Sequence, residues 1–378
     1  VRGARTDKVP TGPYRGAGRP EAAYFLELTV DRAARGLGID PVELRRRNLI
    51  RSFPYRSALG WMYDSGDYAR CLDRALELAQ PERGPLLGTG VAMYVERAGG
   101  NWESARVTVL ENGQVIARSG SSPHGQGHET TFAQIVADRL GIDPADVELR
   151  FGEIPGVGTY ASRSVAMGGS ALLRASEQIV EEATRVAARR LHCRPEELRR
   201  TGRDWTAPDG RTVSWIDAGA GLEDEVCFES DLVFGSGVYA AVVEIDADTG
   251  APHVRRLAAV DDAGTIVNPL LAEGQVLGGA VQGLGAVLSE EAVHDADGQL
   301  RNASFVDYGV PGPVEMPPIA TAFVQTPSPN NPLGAKGIGE GGAIGTPAAI
   351  ANAVADALGG DPPDPPFTPE KLWRALSP

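Results

Sequence analysis

The chain has 378 residues, 42% hydrophobic and 23% charged, with a net charge of -14. That is enough apolar material for a sizeable core, so a wholly disordered chain is excluded, and the lack of any basic run excludes a nucleic-acid partner. No apolar stretch reaches the roughly 18 residues of a membrane span, no signal core follows Val1–Arg5, and Cys71, Cys193 and Cys227 form no CxxC pair. These features point to the cytoplasm, and away from disulfide, zinc or iron–sulfur sites within the chain.

Residues 1–20 read as a Gly-, Pro- and Arg-rich loop, and residues 21–35 as a helix with Phe25, Leu28 and Val30 on or near one face. Asp40-Pro41-Val42-Glu43 is a helix start, with Asp at N-cap, Pro at N1 and Glu at N3, and this helix runs to about Leu49. Residues 52–67 are irregular, residues 68–79 read as a helix, and Pro81 to Pro85 as a linker.

Beyond the linker the pattern changes. Val91–Val95 reads as a strand, and Val107–Leu110 and Val115–Arg118 flank Asn112-Gly113 as a hairpin. A helix over 128–140, a strand over Val147–Phe151 and a long helix over 170–191 follow; residues 202–228 show no clear period. Val238–Ile245 and Val254–Val260 form a second hairpin across Asp248-Thr249-Gly250, and Leu270–Leu288 reads as a buried helix. Strands are expected around Ser304 and at Ala320–Val324, and a last helix with Thr346 as cap, Pro347 at N1 and Gly359 past its end. Residues 86–378 are therefore α+β, in two similar halves of hairpin, long loop and helix.

Three Gly-rich loops run into helix N-termini: Ser121–His128, Gly158–Ser164 and Gly334–Gly342. Their peptide N–H groups could together hold one large phosphorylated, amide-rich cofactor, or the loops could be tight connections only. No phosphate-binding GxxxxGK[ST] loop is present. His124 and His128 sit four apart beside Glu129, but Gly125 and Gly127 between them favour loop hydrogen bonding over metal ligation. Glu340, flanked by Gly339 and Gly341, has few neighbouring side chains to solvate it, so its carboxylate can be desolvated and tuned as a base. Asp261-Asp262-Ala263-Gly264 reads as an Asx turn after a strand.

Several segments resemble the xanthine dehydrogenase/aldehyde oxidase family. They are Tyr-Arg-Gly-Ala-Gly-Arg-Pro-Glu (14–21), Gly-Gln-Gly-His-Glu-Thr-Thr-Phe (125–132), Gly-Thr-Tyr-Ala-Ser-Arg-Ser (158–164), Val-Asp-Asp-Ala-Gly-Thr-Ile-Val-Asn-Pro (260–269), Glu-Gly-Gln-Val-Leu-Gly-Gly (273–279) and Pro-Leu-Gly-Ala-Lys-Gly-Ile-Gly-Glu (332–340). They occur in family order over nearly the whole chain, and match the C-terminal half of the molybdopterin-binding large subunit.

The resemblance implies the aldehyde oxidase molybdopterin-binding fold. Residues 1–85 would be the end of a first cofactor-binding domain, and 86–235 and 236–378 the two halves of a second. It implies a molybdenum hydroxylase component that oxidises an aldehyde or an aromatic N-heterocycle with water as oxygen source; a non-catalytic orphan module is the alternative. Glu340 would be the base facing the molybdenum, and Gln126 and Gly127 would hydrogen-bond the cofactor near the metal. Thr159, Ser162, Arg163 and Ser164 would hold the pterin or its phosphates. Gln275, Lys336 and Gly337 would line its polar edge, and Arg15 would lie in the loop beside the metal. Asp262 and Asn268 match positions that contact the cytosine of the dinucleotide form. No side chain would ligate the molybdenum itself, because the pterin dithiolene holds it. Iron–sulfur clusters and FAD would sit on partner chains, and a further chain would supply the N-terminal half. The loop Tyr14-Arg15-Gly16-Ala17 lacks the Cys of copper-containing carbon monoxide dehydrogenases and the Phe-rich form of purine-oxidising members.

Overall fold

The computed structural model describes residues 12–376. The chain opens with helices α1 (Arg19–Leu37) and α2 (Pro41–Asn48). Asp40 caps α2 as its sequence predicts, accepting from the Val42 and Glu43 N–H groups. Arg45 on α2 is buried between Glu27 and Asp31 of α1, at 2.7 and 2.6 Å, which fixes the angle between the two helices. Val1 to Thr11 of the expected N-terminal loop lie outside the described residues. A short ribbon, β1 (Tyr55–Arg56) and β2 (Met62–Tyr63), precedes helix α3 (Tyr68–Ala79).

Strands β3 (Leu87–Gly99), β4 (Trp102–Val109) and β5 (Val115–Ser119) follow, then helix α4 (His128–Leu140), strand β6 (Val147–Phe151) and helix α5 (Ser170–Leu191). The segment without a clear period holds β7 (Arg199–Thr201), β8 (Asp204–Thr206), β9 (Thr212–Val213), helix α6 (Trp215–Gly219) and strand β10 (Glu223–Glu229). Trp205 and Trp215 stack at 6.3 Å and close the core there. Strands β11 (Leu232–Ile245) and β12 (Pro252–Asp262) lead to helix α7 (Pro269–Leu288), strand β13 (Ile319–Val324) and helices α8 (Gly341–Leu358) and α9 (Pro369–Leu376).

Two four-stranded sheets result, in the orders β10-β4-β5-β6 and β13-β12-β11-β3. Each carries an antiparallel hairpin, then a helix, a strand parallel to the second hairpin strand, and another helix. The two halves expected from the sequence are therefore visible as a repeated unit, β4-β5-α4-β6-α5 and β11-β12-α7-β13-α8. Residue 235 lies inside β11, and β3 from the earlier part of the chain pairs with β11 from Leu87↔Glu244 to Gly99↔Leu232. The second sheet is covered on one face by α7 and α8 and on the other by α3, so β11 is buried along nearly its whole length.

Two expectations are corrected. Residues around Ser304 form no strand; the Asp307 and Tyr308 N–H groups return to the Ser304 carbonyl in a turn, because β13 already occupies that sheet edge. The last helix begins at Gly341, so Thr346 is not its cap and Pro347 lies inside it. Packing overrides the local Pro signal there: every residue from Gly341 to Ala355 is buried. Among the described residues, no helix is long and apolar enough to cross a membrane.

Candidate functional site

The repeat places four loops at equivalent ends of the two sheets, after β5, β6, β12 and β13. Three of them, with residues 14–19 and α7, enclose a cavity of about 610 Å³. Arg15, Gln126, Thr159, Ser162, Ser164, Gln275, Lys336 and Glu340 line it, together with Gln282, Tyr160 and Ile338. Eight of the thirteen residues singled out in the sequence thus converge from five segments of the chain.

Arg15 ties the wall together. Its Nε donates to the Gly339 carbonyl at 2.6 Å, one terminal nitrogen to Gln282 Oε1 at 2.9 Å, and the other to the Gln275 carbonyl and Oε1 at 3.1 and 3.2 Å. Burial pushes its guanidinium below the usual arginine value, while Glu340 acts the other way. Ala161 and Ser162 both adopt left-handed backbone, at φ +48° and +55°, a conformation that non-Gly residues avoid. This turn lets Ser162 Oγ accept the Gly339 N–H. A Cβ on Gly339 would lie 2.9 Å from Ser162 Oγ, so a side chain there would displace this hydroxyl. Thr159 Oγ1 donates to the Ser122 carbonyl at 2.7 Å and accepts from Ser164 Oγ at 3.2 Å, so it joins two of the loops.

Glu340 ends the last loop and stands at the N-cap of α8. Its Oε1 accepts the Gly16 N–H at 2.9 Å, and Arg19 approaches Oε2 to 3.9 Å. Oε2 is buried with no hydrogen-bond partner. Behind it lies Glu96, inside β3, a strand that the sequence traced only to Val95. Glu96 is 0% exposed and neither of its oxygens has a donor. Burial, and then the Glu340 carboxyl that it meets at hydrogen-bonding range, hold Glu96 well above the usual carboxylate range. On the same side, Tyr94 and Tyr239 donate to the two oxygens of the buried Asp261, whose carboxyl burial raises to about 6. Sequence reading missed Glu96. A charged residue directly after an apolar strand was the available signal, but only pairing with β11 carries the strand past it.

The remaining residues lie elsewhere. Arg163 faces away from the cavity, with its terminal nitrogen 2.7 Å from Glu103 and both side chains buried. Its other bonds go to the Gly158, Gly100 and Trp102 carbonyls, so here it supports the loop instead of facing a ligand. Asp262 is wholly buried and accepts from Lys336, the Gly264 and Thr326 N–H groups and the Thr326 hydroxyl. Gly337 packs where a Cβ would meet Ser162 and Ala98 at 2.7 and 2.8 Å, and Gly127 caps α4 against Leu271. Asn268 caps α7, bonds Gln134 at 3.0 Å and lines an adjoining pocket of about 80 Å³ that shares Gln126, Gln275 and Lys336 with the main cavity.

The wall is rich in uncharged donors and acceptors: three glutamine amides, five hydroxyls and loop peptide groups. Such a lining suits a polar heterocyclic cofactor that brings its own metal ligands. His128 Nδ1, also buried and unpartnered, is an orphaned polar atom on a residue lining this cavity that such a group could satisfy. Among the described residues, no group of three or more His, Cys, Asp or Glu side chains could hold a metal ion. Lys336 is different from the expectation in one respect. Its ammonium is already engaged, by Asp262 at 3.2 Å, Thr326 Oγ1 at 2.9 Å and the Ser65 carbonyl at 3.2 Å.

Comparison with known proteins bears directly on this cavity. A family model described as the molybdopterin cofactor-binding domain matches residues 64–317, and a second of the same description matches residues 1–49. The carbon monoxide dehydrogenase large chain of Hydrogenophaga pseudoflava is 34% identical over 100% of this chain and 53% of its own length. Subunit gamma of the 6-hydroxypseudooxynicotine dehydrogenase complex of Paenarthrobacter nicotinovorans is 34% identical over 97% of this chain and 52% of its own. Among solved structures, quinoline 2-oxidoreductase from Pseudomonas putida 86 superposes with a TM-score of 0.91 at 34% identity, over 98% of this chain and 53% of the other. The chain spans about half the length of the curated relatives it matches.

Proposed function

Because this chain belongs to the molybdopterin cofactor-binding family, we propose that it is the catalytic, cofactor-holding part of a molybdenum hydroxylase. Its substrate is an aldehyde or an aromatic N-heterocycle, and water is the oxygen source. The observation that carries this reading is Glu340: a partly buried carboxylate with one oxygen fixed and the other buried without a donor, on the wall of an amide-lined cavity.

Gln126, Gln275, Thr159, Ser162 and Ser164 would hold the pterin, in the cytosine dinucleotide form, and Asn268 would line its edge in the adjoining pocket. When bound, the cofactor supplies the two-electron redox chemistry and the activated oxygen. The chain's own contribution is placement and proton handling. The Gly16 N–H and Arg15 fix the Glu340 loop, and Glu340 accepts the proton released at the reacting oxygen. An N-terminal half such as the relatives carry, an iron–sulfur chain and a flavin chain complete the enzyme. Carbon monoxide oxidation is not part of the proposal, since the loop Tyr14–Ala17 has no cysteine to hold copper.

The test is expression with and without the candidate partner chains, followed by molybdenum and pterin assay. Stoichiometric cofactor in the complex, with hydroxylation in an aldehyde and heterocycle screen, supports the reading. Absence of molybdenum from every preparation would leave a non-catalytic relative of the family.

A further inference from the structure

Glu96 is a carboxyl group with no exposure to water, and both of its oxygens lack a donor. It meets the side chain of Glu340, whose Oε2 also lacks one. Three orphaned carboxyl oxygens in one buried contact are untenable if both groups are ionised. Two like charges would then face each other, and each buried orphan oxygen would carry its desolvation penalty. One proton placed between them removes both problems.

We propose that Glu96 holds a proton that it shares with Glu340, so that the two side chains form one buried acid pair carrying a single negative charge at rest. Glu96 is a positioning residue here. Its O–H donates to Glu340 Oε2, while the Gly16 N–H donates to Oε1. With one donor on each oxygen, the Glu340 side chain is held in place at the cavity wall. When Glu340 accepts a proton during turnover, the pair becomes neutral with both protons bound, and release of that proton restores the single charge.

The surroundings agree. Arg19 of α1 stands 3.9 Å from Glu340 Oε2, but its hydrogen bonds go to the Gly16 and Arg97 carbonyls, so it leaves the carboxyl oxygens without a donor. Arg15 feels both carboxyls from the preceding loop. Asp261 on β12 opposes a charge on Glu96, and Tyr94 on β3 and Tyr239 on β11 are neutral donors turned towards Asp261.

The proposal extends the role given to Glu340, but its test does not need an active enzyme. Infrared spectra of the cofactor-free protein, grown with carbon-13 carboxyl-labelled glutamate, report protonated glutamates separately from Asp261. The expected result is a protonated-glutamate carbonyl band that persists at neutral pH and disappears in Glu96→Gln, with circular dichroism confirming the fold. If Glu96→Gln does not fold, Glu340→Gln serves: the Glu96 titration then moves down, because its like-charged neighbour is gone. No protonated-glutamate band at neutral pH in the wild type, or a band indifferent to both changes, overturns the proposal. In the assembled hydroxylase, the alkaline fall of kcat/KM set by loss of the shared proton vanishes in Glu96→Gln. An inactive enzyme with the infrared band intact would count against the hydroxylase reading and not against the shared proton.

Discussion

Lys336 and Asp262 form an ion pair at 3.2 Å in which both side chains are wholly removed from water. Asp262 ends β12 and Lys336 lies in the loop before α8, so the pair pins that loop to the sheet. Ser65 and Thr326 complete the coordination of the ammonium. Removing one member leaves a buried uncompensated charge, at a cost of roughly 3–5 kcal/mol. Lys336→Met is expected to lower the unfolding free energy by about that amount in denaturant titration. Lys336→Met combined with Asp262→Leu is expected to recover a large part of it. Equal loss in single and double variants would count against the pair as the cause.

Glu340→Gln keeps the size and the Gly16 contact but cannot accept a proton. In the assembled enzyme it is expected to retain molybdenum and pterin while turnover falls by roughly 10²- to 10⁴-fold, the usual contribution of a general base. Metal assay beside steady-state rates decides this. Unchanged turnover would remove Glu340 from the role of base.

Gly342 is where α8 crosses α7. A Cβ there would lie 2.4 Å from the Ala280 nitrogen and 2.6 Å from the Val276 carbonyl oxygen, both backbone atoms that cannot step aside. Gly342→Ala is expected to force the helices apart and cost about 1–3 kcal/mol, read as a lower thermal midpoint. Because Glu340 precedes this crossing by two residues, cofactor content should fall as well.

His128 stacks on Phe132 at 4.7 Å, and burial pushes it down to about 4. An unfolded histidine titrates near 6.5, so between about pH 6.5 and about pH 4 the unfolded chain binds more protons. The stability His128 contributes is therefore complete above about pH 6.5 and is lost as pH falls. Asp261, raised to about 6, runs the other way, losing stability as pH rises from about 4 to about 6. His128→Gln is expected to remove a loss of about 1–3 kcal/mol between neutral pH and pH 4, measured as the difference between variant and wild-type unfolding curves. Parallel curves across that range would contradict this.

Local chemistry made much of the fold legible. Asp40-Pro41 capped a helix, Asn112-Gly113 turned a hairpin, and the Gly-rich loops marked where helices begin beside the cavity. The family motifs named Glu340, Gln126, Thr159, Ser162, Ser164 and Gln275 before any contact was known, and the fold gathers them around one space. These residues could be read because a turn, a cap or a glycine loop is decided within a few neighbouring positions.

What the sequence left open was decided by contacts between distant segments. Arg163 and Asp262 look like ligand residues in isolation, yet Glu103 and Lys336 claim them at 2.7 and 3.2 Å. The start of α8 moved from Pro347 to Gly341 because burial against α7 outweighs a missing N–H. Glu96 became visible only when β3 paired with β11 and carried a charged side chain into the interior beside Glu340. The sequence alone determines which groups can do chemistry. Desolvation and partnership, which depend on residues far away in the chain, determine which of them are free to do it.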